Sequence, residues 1–129
     1  MRCLLDTNVL LRLFDARLNS LPAGIRSAVT DSGGELYASV ASLWEIAIKT
    51  LLRKLVLAHG LAKLPDVVDA LGIGLLVIDH RHVLTEARPD PLTRDPFDRL
   101  LLAQCAVEGL RLVTLDRTLA THPLALRAA

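Results

Sequence analysis

The hydrophobic positions of this chain change period several times, and each change marks an element. Arg2-Cys3-Leu4-Leu5 reads as a short buried strand, and from Asp6 onward Val9, Leu10, Leu13 and Phe14 recur at helical spacing. Ser20-Leu21-Pro22 predicts a helix start, with Ser20 as cap and Pro22 in the first turn; Ser32-Gly33-Gly34 predicts its end. A second strand is expected around residues 36–38. Val40, Leu43, Trp44, Ala47, Ile48, Leu51, Leu52 and Leu55 then form the clearest stripe of the chain, at i, i+3, i+4, i+7 and onward. Residues 61–71 predict another helix, ended by Gly72 and Gly74. The uninterrupted apolar run Leu75-Leu76-Val77-Ile78 predicts a parallel strand covered on both faces. A helix is expected over 81–88, and an exposed loop at Pro89-Asp90-Pro91. Asp95-Pro96 opens a long helix that runs to Gly109, Leu112-Val113-Thr114 is the last strand, and a short helical tail follows Asp116. Strands alternating with helices at this spacing predict a three-layer α/β/α domain with a mostly parallel central sheet, one domain over residues 1–129.

Composition narrows what such a domain does. The chain has 129 residues, 52% hydrophobic, with a net charge of +1 and 3% aromatics. These values exclude a disordered polyelectrolyte. No run approaches the roughly 18 apolar residues of a membrane span. The opening segment is interrupted by Asp6 and Asp15 and does not read as a signal peptide. Cys3 and Cys105 have no metal-ligand spacing and read as reduced core thiols, so a cytoplasmic location is expected. A single-strand binder that works by stacking needs a basic groove lined with aromatics, and Phe14, Tyr37, Trp44 and Phe97 are the whole supply. If nucleic acid is the substrate, something other than bulk charge must hold the phosphate.

The acidic residues offer that alternative. Ligands of open parallel sheets bind outside the carboxyl ends of the strands. Asp6 follows the first strand directly, and Asp116 lies two residues after Thr114. Asp98 lies in the first turn of one helix and Glu45 in the first half of another. Four carboxylates brought together resist ionising, and a hard divalent cation removes that cost while presenting phosphate and water to each other. Each acid also has an ordinary reading. Asp6 and Asp116 are placed to cap helices, Glu45 to pair with Lys49, and Asp95 with Pro96 to start a helix that Asp98 suits by its dipole.

The four positions together carry a resemblance. Leu4-Leu5-Asp6-Thr7-Asn8-Val9-Leu10-Leu11 resembles the opening motif of PIN-domain ribonucleases. Ser42-Leu43-Trp44-Glu45-Ile46-Ala47-Ile48-Lys49 is similar to the second acidic motif of their VapC-type toxin members. The segments from Asp95 to Gln104 and from Leu112 to Asp116 resemble the third and fourth, in order and near the expected separations. The resemblance implies a metal-dependent endoribonuclease that uses Mg²⁺ or Mn²⁺ and acts as the toxin of a toxin–antitoxin pair. Asp6 and Asp98 would be the principal metal ligands, Glu45 would complete the cluster, and Asp116 would be the outer acid. Asn8 and Thr114 would be polar supports. It further implies an antitoxin partner and a homodimer. For these, the face over residues 51–64 and the first helix are the candidate exposed apolar patches. Arg12, Arg17, Arg81, Arg94, Arg99 and Arg117 are candidate contacts for RNA or an acidic antitoxin tail, although an isolated Arg is ordinarily solvated surface.

Rival classes fit less well. A haloacid-dehalogenase-like phosphatase needs an acid where Asn8 stands. A response-regulator receiver needs an earlier acidic pair and a late Lys, neither of which is apparent. No glycine-rich phosphate loop occurs, and His59, His80, His82 and His122 have no zinc spacing. The non-enzymatic alternative is a PIN-like module that binds RNA or protein without cutting.

Overall fold

The computed structural model describes residues 1–31 and 33–127. Among them four strands, β1 (Arg2–Leu5), β2 (Glu35–Ser39), β3 (Gly74–Leu76) and β4 (Arg111–Val113), form one parallel sheet in the order β3-β2-β1-β4. The helices are α1 (Thr7–Phe14), α2 (Ala23–Thr30), α3 (Val40–Leu51), α4 (Leu64–Ala70), α5 (His80–Leu84), α6 (Pro96–Glu108) and α7 (Arg117–Ala120).

The three layers follow from the two-residue alternation of the strands. Cys3 and Leu5 of β1, Ala38 of β2 and Val113 of β4 belong to one apolar cluster, closed by Val9, Leu10, Ile25, Ile46 and Val68. Leu4 and Leu112 point the other way, into a second cluster with Leu101, Leu102, Cys105 and Leu119. The Leu-rich composition thus fills two cores, one on each face of the sheet. Cys3 and Cys105 are free and buried, and burial pushes the Cys105 thiol up to about 12, which makes it inert.

Helix boundaries follow local chemistry. Asp95 caps α6 by accepting from the Phe97 and Asp98 amides at 2.8 and 3.4 Å, with Pro96 next in line. Gly109 ends the helix at φ 69°. Ser39 caps α3 through its hydroxyl on the Ala41 amide.

Several expected boundaries differ. Ser20 does not cap a helix: it ends a 3₁₀ turn (Leu18–Ser20), its hydroxyl donates to the Arg17 carbonyl, and Pro22 occupies the N-cap of α2. That helix ends at Thr30, before the predicted stop, of which Ser32 lies outside the described residues. The helix over 61–71 begins as a 3₁₀ turn (Leu61–Lys63), and only Leu64–Ala70 is α-helical, with Pro65 in its first turn. The apolar run from Leu75 yields only a three-residue strand. β3 is an edge strand paired with β2 alone, and Leu75 and Val77 are exposed rather than covered. The helix over 81–88 is the five-residue α5, started by Asp79 and left at the extended Thr85.

The stripe through Leu55 stops early for an instructive reason. α3 closes with the Lys54 amide on the Lys49 carbonyl and the Arg53 amide on Thr50, a Schellman turn with Arg53 at φ 58°. α1 closes likewise, with the Arg17 amide on the Arg12 carbonyl and Ala16 at φ 55°. A side chain in this left-handed region is strained. Arg53→Gly is therefore expected to stabilise the fold by about 0.5–1 kcal/mol in urea denaturation, the relief of strain exceeding glycine's unfolded-state entropy.

Candidate active site at the carboxyl edge of the sheet

β1 lies between β2 and β4, so the residue that follows it emerges at the middle of the carboxyl edge. That residue is Asp6, only 4% exposed. Its amide donates to the Val113 carbonyl at 2.9 Å, which fixes its backbone to β4. Its Oδ1 accepts the Thr7 amide at 2.8 Å and its Oδ2 accepts the Thr114 hydroxyl at 2.6 Å. Asp6 also occupies the N-cap position of α1, so the capping and site readings apply to one side chain. Thr114 in turn accepts the Asp116 amide at 3.0 Å and so joins the two acids that flank β4.

Glu45 approaches from α3. Its Oε1 accepts the Thr7 hydroxyl at 2.8 Å, with the Ser42 hydroxyl 3.0 Å from the same Thr7 oxygen. Its Oε2 pairs with Lys49 Nζ at 2.8 Å. The surface pair expected from the i,i+4 spacing exists, but the Glu45 side chain is only 13% exposed and the pair borders the acids. Asp98 enters from the first turn of α6, where its Oδ2 accepts the Thr93 hydroxyl at 3.2 Å.

Electrostatics shows that these groups sense one another. Burial raises the Asp6 pKa, the Thr114 and Thr7 bonds oppose it, and the charges of Glu45 and Asp116 add to it. Burial, together with Asp95, Asp6 and Glu45, pushes Asp98 up to about 7, against the pull of the Thr93 bond. Lys49 is raised by its bond to Glu45 and by the fields of Asp95 and Asp98. Glu45 and Asp116 thus act on Asp6, and Asp6 and Glu45 act on Asp98. Asp116 is exposed and its Oδ1 caps α7 through the Thr118 and Leu119 amides. Asn8 sits exposed on α1, and no bond from it to a carboxylate is seen among the described residues. Asp95 is engaged in capping α6.

An all-oxygen, carboxylate donor set suits a hard divalent cation. The fit is chemical rather than geometric: among the described residues, no three acidic, His or Cys groups lie close enough to share one ion. Glu45 is held by Lys49 and Thr7, and Asp116 by its helix. Of the arginines, Arg12 is tied to Ser20, Arg81 to Asp79 and Glu108, and Arg99 to Asp90 and to the carbonyls of Pro91 and Thr93.

Thr7, Ser42 and Thr93 are the contributors that the acid pattern alone misses. Thr7 adjoins Asp6, and Ser42 lies one helical turn before Glu45, so their faces were readable from spacing. Thr93 reaches Asp98 through a loop, for which sequence offers no periodic signal.

A parallel sheet with helices on both faces and carboxylates at its carboxyl edge makes this an α/β domain of the kind whose ligands bind at that edge. The PIN domain family matches residues 3–123, and the chain belongs to that family. Among curated proteins none matches the chain. Family membership makes a nuclease the coarse functional class. No helix among the described residues is long and apolar enough to cross a membrane.

A pH dependence follows from the Asp98 environment. A carboxyl whose native pKa is raised from 3.8 to about 7 is ionised first in the unfolded chain, so native stability falls as pH climbs through that window. In metal-free buffer, Asp98→Asn is expected to melt higher than wild type at about pH 8. The difference should narrow as pH falls through about 7 towards about 4 and vanish below the unfolded value of 3.8, where the carboxyl is protonated in both states.

Proposed function

We propose that this chain is a metal-dependent endoribonuclease of the VapC type, the toxin of a toxin–antitoxin pair that inhibits growth by cutting RNA. The observation that carries the reading is the coupling of Asp6 and Asp98. Two carboxyls from separate elements are desolvated at the carboxyl edge of the sheet, and the charge of Asp6 adds to the rise at Asp98. Such a pair is stabilised by a cation.

Asp6 and Asp98 would hold a Mg²⁺ or Mn²⁺ ion, with Glu45 and Asp116 completing the set. When bound, the ion supplies water activation and neutralisation of phosphoryl charge. The chain's own residues do the positioning. Thr114 and the Thr7 amide fix both oxygens of Asp6, Thr7 fixes one oxygen of Glu45, and Thr93 fixes one oxygen of Asp98. Lys49, one turn beyond Glu45, supplies positive charge on the side a phosphate would approach. Hydrolysis breaks a phosphorus–oxygen bond by attack of water, and the departing ribose oxygen takes up a proton.

The exposed Leu51, Leu52 and Val56, at and beyond the end of α3, support an antitoxin or homodimer surface there. The first helix does not, because Val9 and Leu10 are buried and Leu11, Leu13 and Phe14 pack on the core. The separation of the carboxylates is what favours the alternative of a non-catalytic RNA- or protein-binding module.

Cleavage of mixed RNA substrates in Mn²⁺ or Mg²⁺ tests the proposal. Asp6→Asn and Asp98→Asn should each lower the rate by more than about a hundredfold, and Thr114→Val by about ten- to a hundredfold. Asp95→Asn should retain cleavage, since its role is the cap. Growth arrest on induction should disappear with Asp6→Asn. RNA retention without metal-dependent cleavage would establish the binding module instead.

A further inference from the structure

Four aromatic residues serve the whole chain, and three are occupied. Phe14 packs on the first apolar cluster, Tyr37 packs on the second and donates to Glu35, and Phe97 packs on the second. Trp44 is different: it is 62% exposed. Its ring meets Phe97 edge-on, with centroids 5.5 Å apart and an interplanar angle of 69°. An edge-to-face contact of this kind fixes an aromatic ring while leaving a face of it available.

The position of the pair gives it meaning. Trp44 directly precedes Glu45 on α3, and Phe97 directly precedes Asp98 on α6. Each ring is therefore one residue from a carboxylate of the edge cluster, and their contact bridges the two helices that carry those acids. Lys49, paired with Glu45, lies one turn beyond that acid on α3. A strand whose phosphate reaches the acids must place a base close to this rim, and every base has a face that an indole can cover.

We propose that Trp44, braced by Phe97, is a stacking platform for one unpaired base of a nucleic-acid strand running into the acid cluster. This rests on the nuclease reading for its substrate. The platform confers a preference for single-stranded over duplex RNA, because a base stacked within a duplex has no free face to offer. It selects for an exposed base rather than for a sequence. The apolar residues Leu51, Leu52 and Val56 lie further along, away from the acids, and are the better surface for a protein partner.

Trp44 is the only tryptophan of the chain, so its fluorescence reports this site alone. The titration uses decauridine and an abasic ribose-phosphate strand of equal length, on Asp6→Asn protein to prevent turnover. The expected result is saturable quenching by decauridine, no quenching by the abasic strand, and about 10- to 100-fold weaker binding of the abasic strand. In the same background, read by the anisotropy of a fluorescein-labelled strand because these variants hold no tryptophan, Trp44→Ala should bind decauridine as weakly as it binds the abasic strand, and Trp44→Phe should recover most of the affinity. In otherwise wild-type protein, Trp44→Ala should raise KM by a similar factor with little change in kcat. Equal binding of both strands with unchanged fluorescence would overturn the platform, and continued metal-dependent cleavage in that case would leave the nuclease reading standing. A fluorescence change that follows protein concentration alone, and that decauridine does not displace, would assign the ring to a second copy and also overturn it. Quenching in the titration, with no cleavage of RNA by the wild-type protein in Mn²⁺ or Mg²⁺, would support the platform while removing the nuclease reading.

Discussion

A carboxylate buried at the end of the central strand is the constraint around which this molecule is arranged. Asp6 has strands on both sides, a helix beginning at its own amide neighbour, and almost no solvent. A charge in such a place is unstable unless it is bonded, and Asp6 receives a bond on each oxygen. One comes from the first amide of α1 and the other from Thr114, just beyond β4. The same two bonds that moderate its burial fix the direction in which it faces.

The other acids gather under the same rule. Glu45 is secured by Thr7 and Lys49, Asp98 by Thr93, and Asp116 by the α7 amides. Thr7 binds Glu45 through its hydroxyl and Asp6 through its amide, so a single residue links two carboxylates from different elements. Arg99 holds the carbonyl of Thr93, whose hydroxyl reaches Asp98. These supports are rigid because the two cores beneath them are filled. Leu5 and Val113, the residues that lead into the acidic edge, are almost wholly buried.

Much of this was readable in the sequence where a residue's role depends on its neighbours in the chain. Asp6 after the run Cys3-Leu4-Leu5, and Asp95-Pro96 before a long helix, have local signatures, and both elements formed as expected. Periodicity showed which residues of α3 share a face, but not whether that face is covered. Trp44, Leu51 and Leu52 belong to the predicted stripe and are exposed. The Schellman turns at Ala16 and Arg53 lacked the glycine that normally announces them. The edge position of β3 depends on strand order, which an apolar run such as Leu75-Leu76-Val77-Ile78 does not encode. Among the site residues, Asp6 and Asp116 stood out by their place after strand ends, and Asp98 and Glu45 by their place early in helices. Of their hydroxyl supports, Thr114 was expected from the resemblance and Ser42 shares a helix face with Glu45, whereas Thr93 becomes a partner only once its loop is folded against α6.

The central claim is that the edge carboxylates form one unit whose mutual repulsion a divalent cation relieves. Calorimetric titration of Mn²⁺ into the wild-type protein and into Asp6→Asn tests it most directly, without any RNA present. The account predicts a saturable binding event in wild type that weakens by at least about a hundredfold in the variant, with release of protons near neutral pH as Asp98 gives up its hydrogen. Identical isotherms for the two proteins, or no binding to wild type, would contradict it.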